Sequence, residues 1–165
     1  MKESIRQFEA QAHRTQVAEL WQRVFGYESA HNAPHFVIEK KLVVGDGLFF
    51  VAEVGGKVVG SIMAGYDGHR GWIYSLAVLP EYRKRGLGSR LMRHAEERLK
   101  LLGCPKINLP ILEGNKAVEG FYRKLGYQAE QRISMGKKIP ENISHAEPLA
   151  PRDADSAGAS PASVS

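Results

Sequence analysis

Residues 76–89 read Leu-Ala-Val-Leu-Pro-Glu-Tyr-Arg-Lys-Arg-Gly-Leu-Gly-Ser. An apolar strand runs into a proline, a basic glycine loop follows, and the loop opens an amphipathic helix. Few local designs satisfy that order, and phosphate binding is the one it suits best. The first N–H groups of a helix have no partner inside it and point into the preceding loop, where the helix dipole adds positive character. Gly86 and Gly88 lack a Cβ that would hold a phosphate away from the backbone. Arg83, Lys84 and Arg85 supply neutralising charge, and arginine can grip phosphate oxygens in pairs. Two other glycine loops are excluded by the letters. A P-loop needs a Gly-Lys-Ser/Thr ending, and a dinucleotide fingerprint needs a third glycine where Leu91 stands.

The segments on either side set the fold class. Ser4 to Ala10 can form a short strand, and Val17, Leu20, Trp21, Val24 and Phe25 recur at helical spacing up to Gly26. A second helix is expected from Asn32, with Pro34 in its first turn and Leu42 on its buried side. Gly55-Gly56 predicts a hairpin joining strands over Leu48–Val54 and Lys57–Tyr66. After the turn Asp67–Gly71, a mostly apolar strand runs from Trp72 to Leu79 and Pro80 closes it.

The helix that opens near Gly88 presents Leu91, Met92, Ala95, Leu99 and Leu102 on one face and stops at Gly103 and Pro105. Lys106–Leu112 reads as a strand containing Pro110, so it should be at an edge, bulged, or splayed from its neighbour. A last helix runs from Asn115, a good N-cap, to Leu125, with Gly126 after it. Tyr127–Lys138 can supply one or two closing strands. A meander followed by strand–helix–strand–helix–strand predicts an α+β (mixed α/β) domain around a central sheet.

Composition narrows the function classes. With 165 residues, 43% hydrophobic and 25% charged, the chain suits one globular domain. Cys104 is the single cysteine, which excludes an internal disulfide and a cysteine-based metal site. The amino terminus lacks the apolar stretch of a signal peptide, and no run approaches the ~20 apolar residues of a membrane span, so a cytoplasmic protein is expected. Residues 141–165 carry Glu141, Glu147, Asp153 and Asp155 against Arg152 alone, a net of −3, leaving +8 on residues 1–140. That last segment is rich in Ala, Ser and Pro and is expected to be a disordered tail. A basic domain favours a polyanion, either nucleic acid or a phosphate-rich cofactor.

The loop Arg83-Lys84-Arg85-Gly86-Leu87-Gly88 resembles the acetyl-CoA loop of the GNAT family of N-acetyltransferases, commonly written Gln/Arg-x-x-Gly-x-Gly/Ala. About thirty residues later come Asn115, Ala117, the pair Phe121-Tyr122 and the closing Gly126-Tyr127, as in the family's second segment. The resemblance covers roughly Leu48 to Lys138. Ala64–Gly71 and Gly103–Ile107 look most like the bacterial YpeA-type subgroup. It implies one domain over residues 1–140, with a mostly antiparallel twisted sheet of six to seven strands, about four helices and splayed central strands. It implies transfer of an acetyl group from acetyl-CoA, without a metal, to a primary amine on a small molecule or peptide. Nucleic acid and membrane are not expected partners, and a homodimer is an assembly the resemblance allows.

The resemblance also implies roles. The main chain of Leu76, Ala77 and Val78 would bond the pantetheine arm as a substitute strand, and Arg83, Lys84, Arg85, Gly86, Leu87, Gly88 and Ser89 would hold the pyrophosphate. Asn115 would hold the cofactor or the strand near it, and Tyr122 would be the general acid that protonates the departing thiolate. On a helix Asn115 and Tyr122 lie about 10.5 Å apart along the axis, on nearly the same face. The plainer reading of Tyr122 is an aromatic at the core boundary with its hydroxyl in water. Glu53, Asp67, His69 and Glu113 are candidates for the base that takes the amine's proton, each also explicable as a solvated turn or strand residue. Other readings are an N-terminal acetyltransferase of the ribosomal-protein type, an acyl-CoA sensor without catalysis, and a basic nucleic-acid module. No aromatic stacking platform supports the last.

Overall fold

The computed structural model describes residues 2–26 and 32–140, with one compact unit over residues 1–131. Its elements are β1 (Glu3–Gln7), α1 (Ala10–Phe25), α2 (Pro34–Val44), β2 (Phe49–Val54), β3 (Lys57–Tyr66), β4 (Gly71–Val78), a 3-10 turn (Pro80–Tyr82), α3 (Leu87–Leu101), β5 (Ile107–Asn108) and α4 (Lys116–Lys124). The strands lie side by side in chain order, β1-β2-β3-β4-β5, antiparallel except for the parallel pair β4/β5. Short turns dictate the order β2-β3-β4, β1 joins β2 across the two helices between them, and the helix α3 supplies the crossover that a parallel neighbour requires.

One face of the sheet carries α1. Trp21 is fully buried there and its indole N–H donates to Ser61 Oγ on β3 at 2.7 Å. Phe8 stacks on Phe49 at 4.2 Å between ring centres, and Trp21 stacks beside Phe49 at 5.7 Å. The other face carries α3, whose Leu91, Met92, Ala95 and Leu99 are wholly buried. This helix comes so close that a Cβ on Gly60 of β3 would lie 3.0 Å from Leu91 Cδ1 and 3.1 Å from the Ala77 carbonyl oxygen. A side chain there would require Leu91 or the adjoining strand to give by a few tenths of an ångström.

The start of α1 is secured in an unusual way. Its N-cap Glu9 makes no side-chain cap; instead the Glu9 N–H donates to His13 Nδ1 at 2.9 Å. With Nδ1 accepting, the imidazole proton is on Nε2, 3.2 Å from the Glu53 carboxylate on β2. His13 is 1% exposed, while the Glu53 side chain keeps partial access to water at 14%.

Several expectations need correction. Leu42 and Leu102 are exposed, not buried. The sequence of α2 is apolar on nearly every side, so periodicity cannot select its face, and the helix buries Pro34 and Ile38 instead. Leu102 is the C-cap of α3, beyond its last turn. The strand expected over Lys106–Leu112 shrinks to Ile107–Asn108, leaving Pro110 outside it. Five strands form among the described residues, short of six or seven, and residues 127–140 form none. A two-residue β5 offers little edge for a further strand to pair with. The expected tail, 141–165, lies outside the described residues.

Candidate active site

The β4 strand carries one residue more than its partner. Ser61 pairs with Ala77 and Met63 with Tyr74, so two steps on β3 answer three on β4, and Ser75 within the bulge has φ +47°. A positive φ on a residue with a Cβ is uncommon and marks the bend. Beyond it β4 diverges from β5, which meets it only at Gly71↔Ile107 and Trp72↔Asn108. The splay expected from the resemblance is therefore present, and Pro110 follows the point where the pairing ends.

Strand alternation then decides which backbone groups face the gap. Leu79 N–H donates to Val59 O at 2.9 Å, so Leu79 and Ala77 turn toward β3. Leu76 and Val78 turn the other way. Ala77, one of the three residues expected to offer a free backbone, is thus engaged in the ladder with Ser61. The Val78 carbonyl accepts the Arg83 Nε–H at 3.0 Å.

The basic loop follows directly. Lys84 at φ +60° and Gly86 at φ +75° reverse the chain, and Arg90 N–H to Gly86 O at 3.1 Å is the first helical bond of α3. The N–H groups of Leu87, Gly88 and Ser89 precede that bond and have no helical partner. The Leu87 side chain is buried in the core, so only its backbone serves the loop. Arg85 sits over the Tyr82 ring at 5.6 Å, and Arg90 ties the loop down through the Arg85 carbonyl and the Glu3 carboxylate on β1. These donors and cations fit a pyrophosphate.

Gly88 has a reason of its own. A Cβ there would lie 3.3 Å from Phe121 Cζ and 3.9 Å from Val78 Cγ2. The end of β4, the first turn of α3 and the middle of α4 therefore meet at this one residue. Close packing against Phe121 is thus a second reason for glycine at position 88, beside the phosphate approach expected from the sequence. Asn115 is the N-cap of α4, its Oδ1 accepting the Val118 N–H at 3.3 Å.

Tyr122 is 9% exposed, with Phe121 at 5.0 Å and Tyr127 at 5.8 Å between ring centres, both edge-on. Its hydroxyl has no hydrogen-bond partner among the described residues, and burial pushes the phenol above its ordinary value of 10.0. It remains a donor throughout the neutral range.

Two of the base candidates are already occupied. Glu53 holds His13, with Arg6 at 3.7 Å. Asp67 accepts the Arg70 and His69 N–H groups and the Trp72 indole, which keep its carboxyl below the usual range and make it a poor base. His69 stands in the same turn, at the opposite end of β4 from Val78, and Glu113 is exposed ahead of α4. Among the described residues no group of three metal-ligating side chains comes together, and no helix is long and apolar enough to cross a membrane.

The Acetyltransferase (GNAT) family matches residues 7–127 of the chain. The chain belongs to the GNAT acetyltransferases. A Yersinia pestis protein described as an acetyltransferase is 48% identical over 108 residues, covering 66% of this chain and 77% of that one. Among solved structures, the PaiA N-acetyltransferase of Thermoplasma acidophilum in complex with coenzyme A superposes with a TM-score of 0.71 at 19% identity, over 81% of this chain and 94% of that one. The Escherichia coli ribosomal-protein-S18-alanine N-acetyltransferase superposes with a TM-score of 0.62 at 22% identity, over 76% and 77%. At those identities the two structures establish the GNAT fold alone. This GNAT enzyme is accordingly an acetyl-CoA-dependent N-acetyltransferase.

Proposed function

We propose that the protein moves the acetyl group of acetyl-CoA to a primary amine by direct attack, in the cytoplasm, as a YpeA-type acetyltransferase acting on a small molecule or peptide. The observation that carries this is the junction at Gly88, where the open backbone of β4, the donor-rich start of α3 and the tyrosine helix α4 adjoin. Acetyl-CoA supplies the activated thioester. The N–H groups of Leu87, Gly88 and Ser89, with Arg83, Lys84 and Arg85 around them, hold its phosphates. The backbones of Leu76 and Val78 bond the arm along the splay, and Arg83 then gives up its bond to the Val78 carbonyl.

The amine nitrogen bonds to the acetyl carbon as the carbon–sulfur bond breaks, and the sulfur needs a proton. Tyr122 holds one for it. A thiol of pKa ~8.5 leaves readily, and a phenol held above its ordinary value gives its proton up reluctantly. Tyr122 therefore acts mainly by hydrogen-bonding the departing sulfur, releasing its proton late. Neither Glu53 nor Asp67 is free to take the amine's own proton, which leaves His69, Glu113 or an ordered water for it.

Calorimetric titration with acetyl-CoA followed by thiol release across an amine panel tests this. The panel should include polyamines, amino sugars and short peptides with a free α-amine. Micromolar binding with turnover on an amine is expected. Absence of binding rejects the proposal, and binding without turnover on any amine favours a sensor. Turnover confined to peptides would make this an N-terminal acetyltransferase.

A further inference from the structure

We infer that Tyr127 and Glu96 form a positioning pair that sets the ring of Tyr122 for its work at the thioester. The inference rests on the reading of Tyr122 as the donor and adds the two residues that aim it. Glu96 stands on α3, and its Oε1 accepts the Tyr127 hydroxyl at 2.8 Å in a partly buried contact. Tyr127 in turn lies edge-on to Tyr122, at 5.8 Å and 70° between rings, while its backbone N–H donates to the Tyr122 carbonyl at 3.1 Å. Phe121 closes the other side of Tyr122 at 5.0 Å and 67°.

Helix α4 is therefore tied to α3 at two heights. Phe121 abuts Gly88 in the first turn of α3, and Tyr127 reaches Glu96 eight residues on, about 12 Å along the helix. Tyr122 sits between the two ties. Its own hydroxyl has no partner among the described residues to orient it, so ring packing decides where the phenol points. A hydrogen bond to an ionised carboxylate is stronger and more directional than a neutral one, which suits a fixed tie. A phenylalanine at position 127 would satisfy the packing, so the hydroxyl and its acceptor are an addition that packing does not require. Desolvation and the Glu96 carboxylate both keep the Tyr127 proton in place, so the tie persists across the working pH range.

The test uses the full chain with tyrosines labelled by carbon-13 at Cζ, the Tyr122 signal being assigned from Tyr122→Phe. Tyr127→Phe should move that signal and lower kcat about 5–30-fold on the best amine of the panel, with the calorimetric Kd for acetyl-CoA unchanged within about twofold. Added to Tyr122→Phe it should lower kcat no further, since both act through one group. Glu96→Gln, which keeps an acceptor, should retain kcat within about threefold, whereas Glu96→Ala should match Tyr127→Phe. An unmoved Tyr122 signal in Tyr127→Phe overturns the inference, as does an additive loss in the double variant or a parallel loss of acetyl-CoA affinity. If Tyr122→Phe itself leaves kcat intact while Tyr127→Phe still moves the signal, the donor reading fails and the positioning contact stands.

Discussion

Tyr122 shows how much a single side chain depends on its surroundings. Its burial raises the phenol above its usual value, so the enzyme should show no loss of activity from ionisation of this group below about pH 10. Tyr122→Phe should lower turnover ~10–1000-fold and leave acetyl-CoA affinity nearly intact, because a thiolate is already a tolerable leaving group. Unchanged turnover removes Tyr122 from the chemistry. Asp67 makes a different kind of prediction. Its folded value is depressed by the Arg70 and His69 N–H groups, so its stabilisation is complete above the unfolded value near 3.8 and vanishes as pH falls through the folded one. Asp67→Asn should melt below wild type at pH 6, with the gap closing below about pH 4. A gap that persists at pH 2 would refute that origin. Asp67's place in a turn was legible in the sequence, because its partners lie two to five residues on, but Glu53's bond to His13 was not, since partners forty residues apart leave no local trace.

At the scale of elements, the contact between α3 and α4 through Gly88 is the feature most open to challenge by mutation. Gly88→Ala puts a methyl 3.3 Å from Phe121, and the aromatic must move or α4 must shift. A cost of roughly 1–3 kcal/mol is expected from such overpacking, together with loss of turnover as Tyr122 is displaced. A variant as stable and as active as wild type would show the contact to be slack. The loop motif announced this glycine, and the reason first attached to it was phosphate approach. Packing against Phe121 is a second reason, and a motif cannot distinguish the two. The bulge in β4 carried no signal at all. Ser75 is an ordinary strand residue by propensity, and its positive φ follows from pairing constraints on both sides of it.

The whole molecule is held by helices on both faces of one sheet, and its stability should respond to core changes on either face. Ser61→Ala removes the acceptor for the buried Trp21 indole and should cost about 1–3 kcal/mol in denaturant melts, with little change in acetyl-CoA affinity. A variant as stable as wild type would show that the indole finds another partner. The compact unit ends at Gln131, so removal of residues 141–165 should leave the melting temperature unchanged. A lowered melting temperature would show that the acidic segment contributes to the folded state.

The sequence by itself determined the four helices, the first four strands and the donor half of the chemistry. Hydrophobic periodicity, glycine and proline punctuation, and a helix start beside a basic loop are local signals, and local signals survive in one dimension. Tertiary structure alone decided where the sheet opens, that Ala77 faces β3 while Leu76 and Val78 do not, and that the Tyr127–Glu96 bond stands beside Tyr122. Each of these depends on the register of strands or the contact of helices distant in sequence, and such contacts are set by packing, which no single stretch of residues encodes.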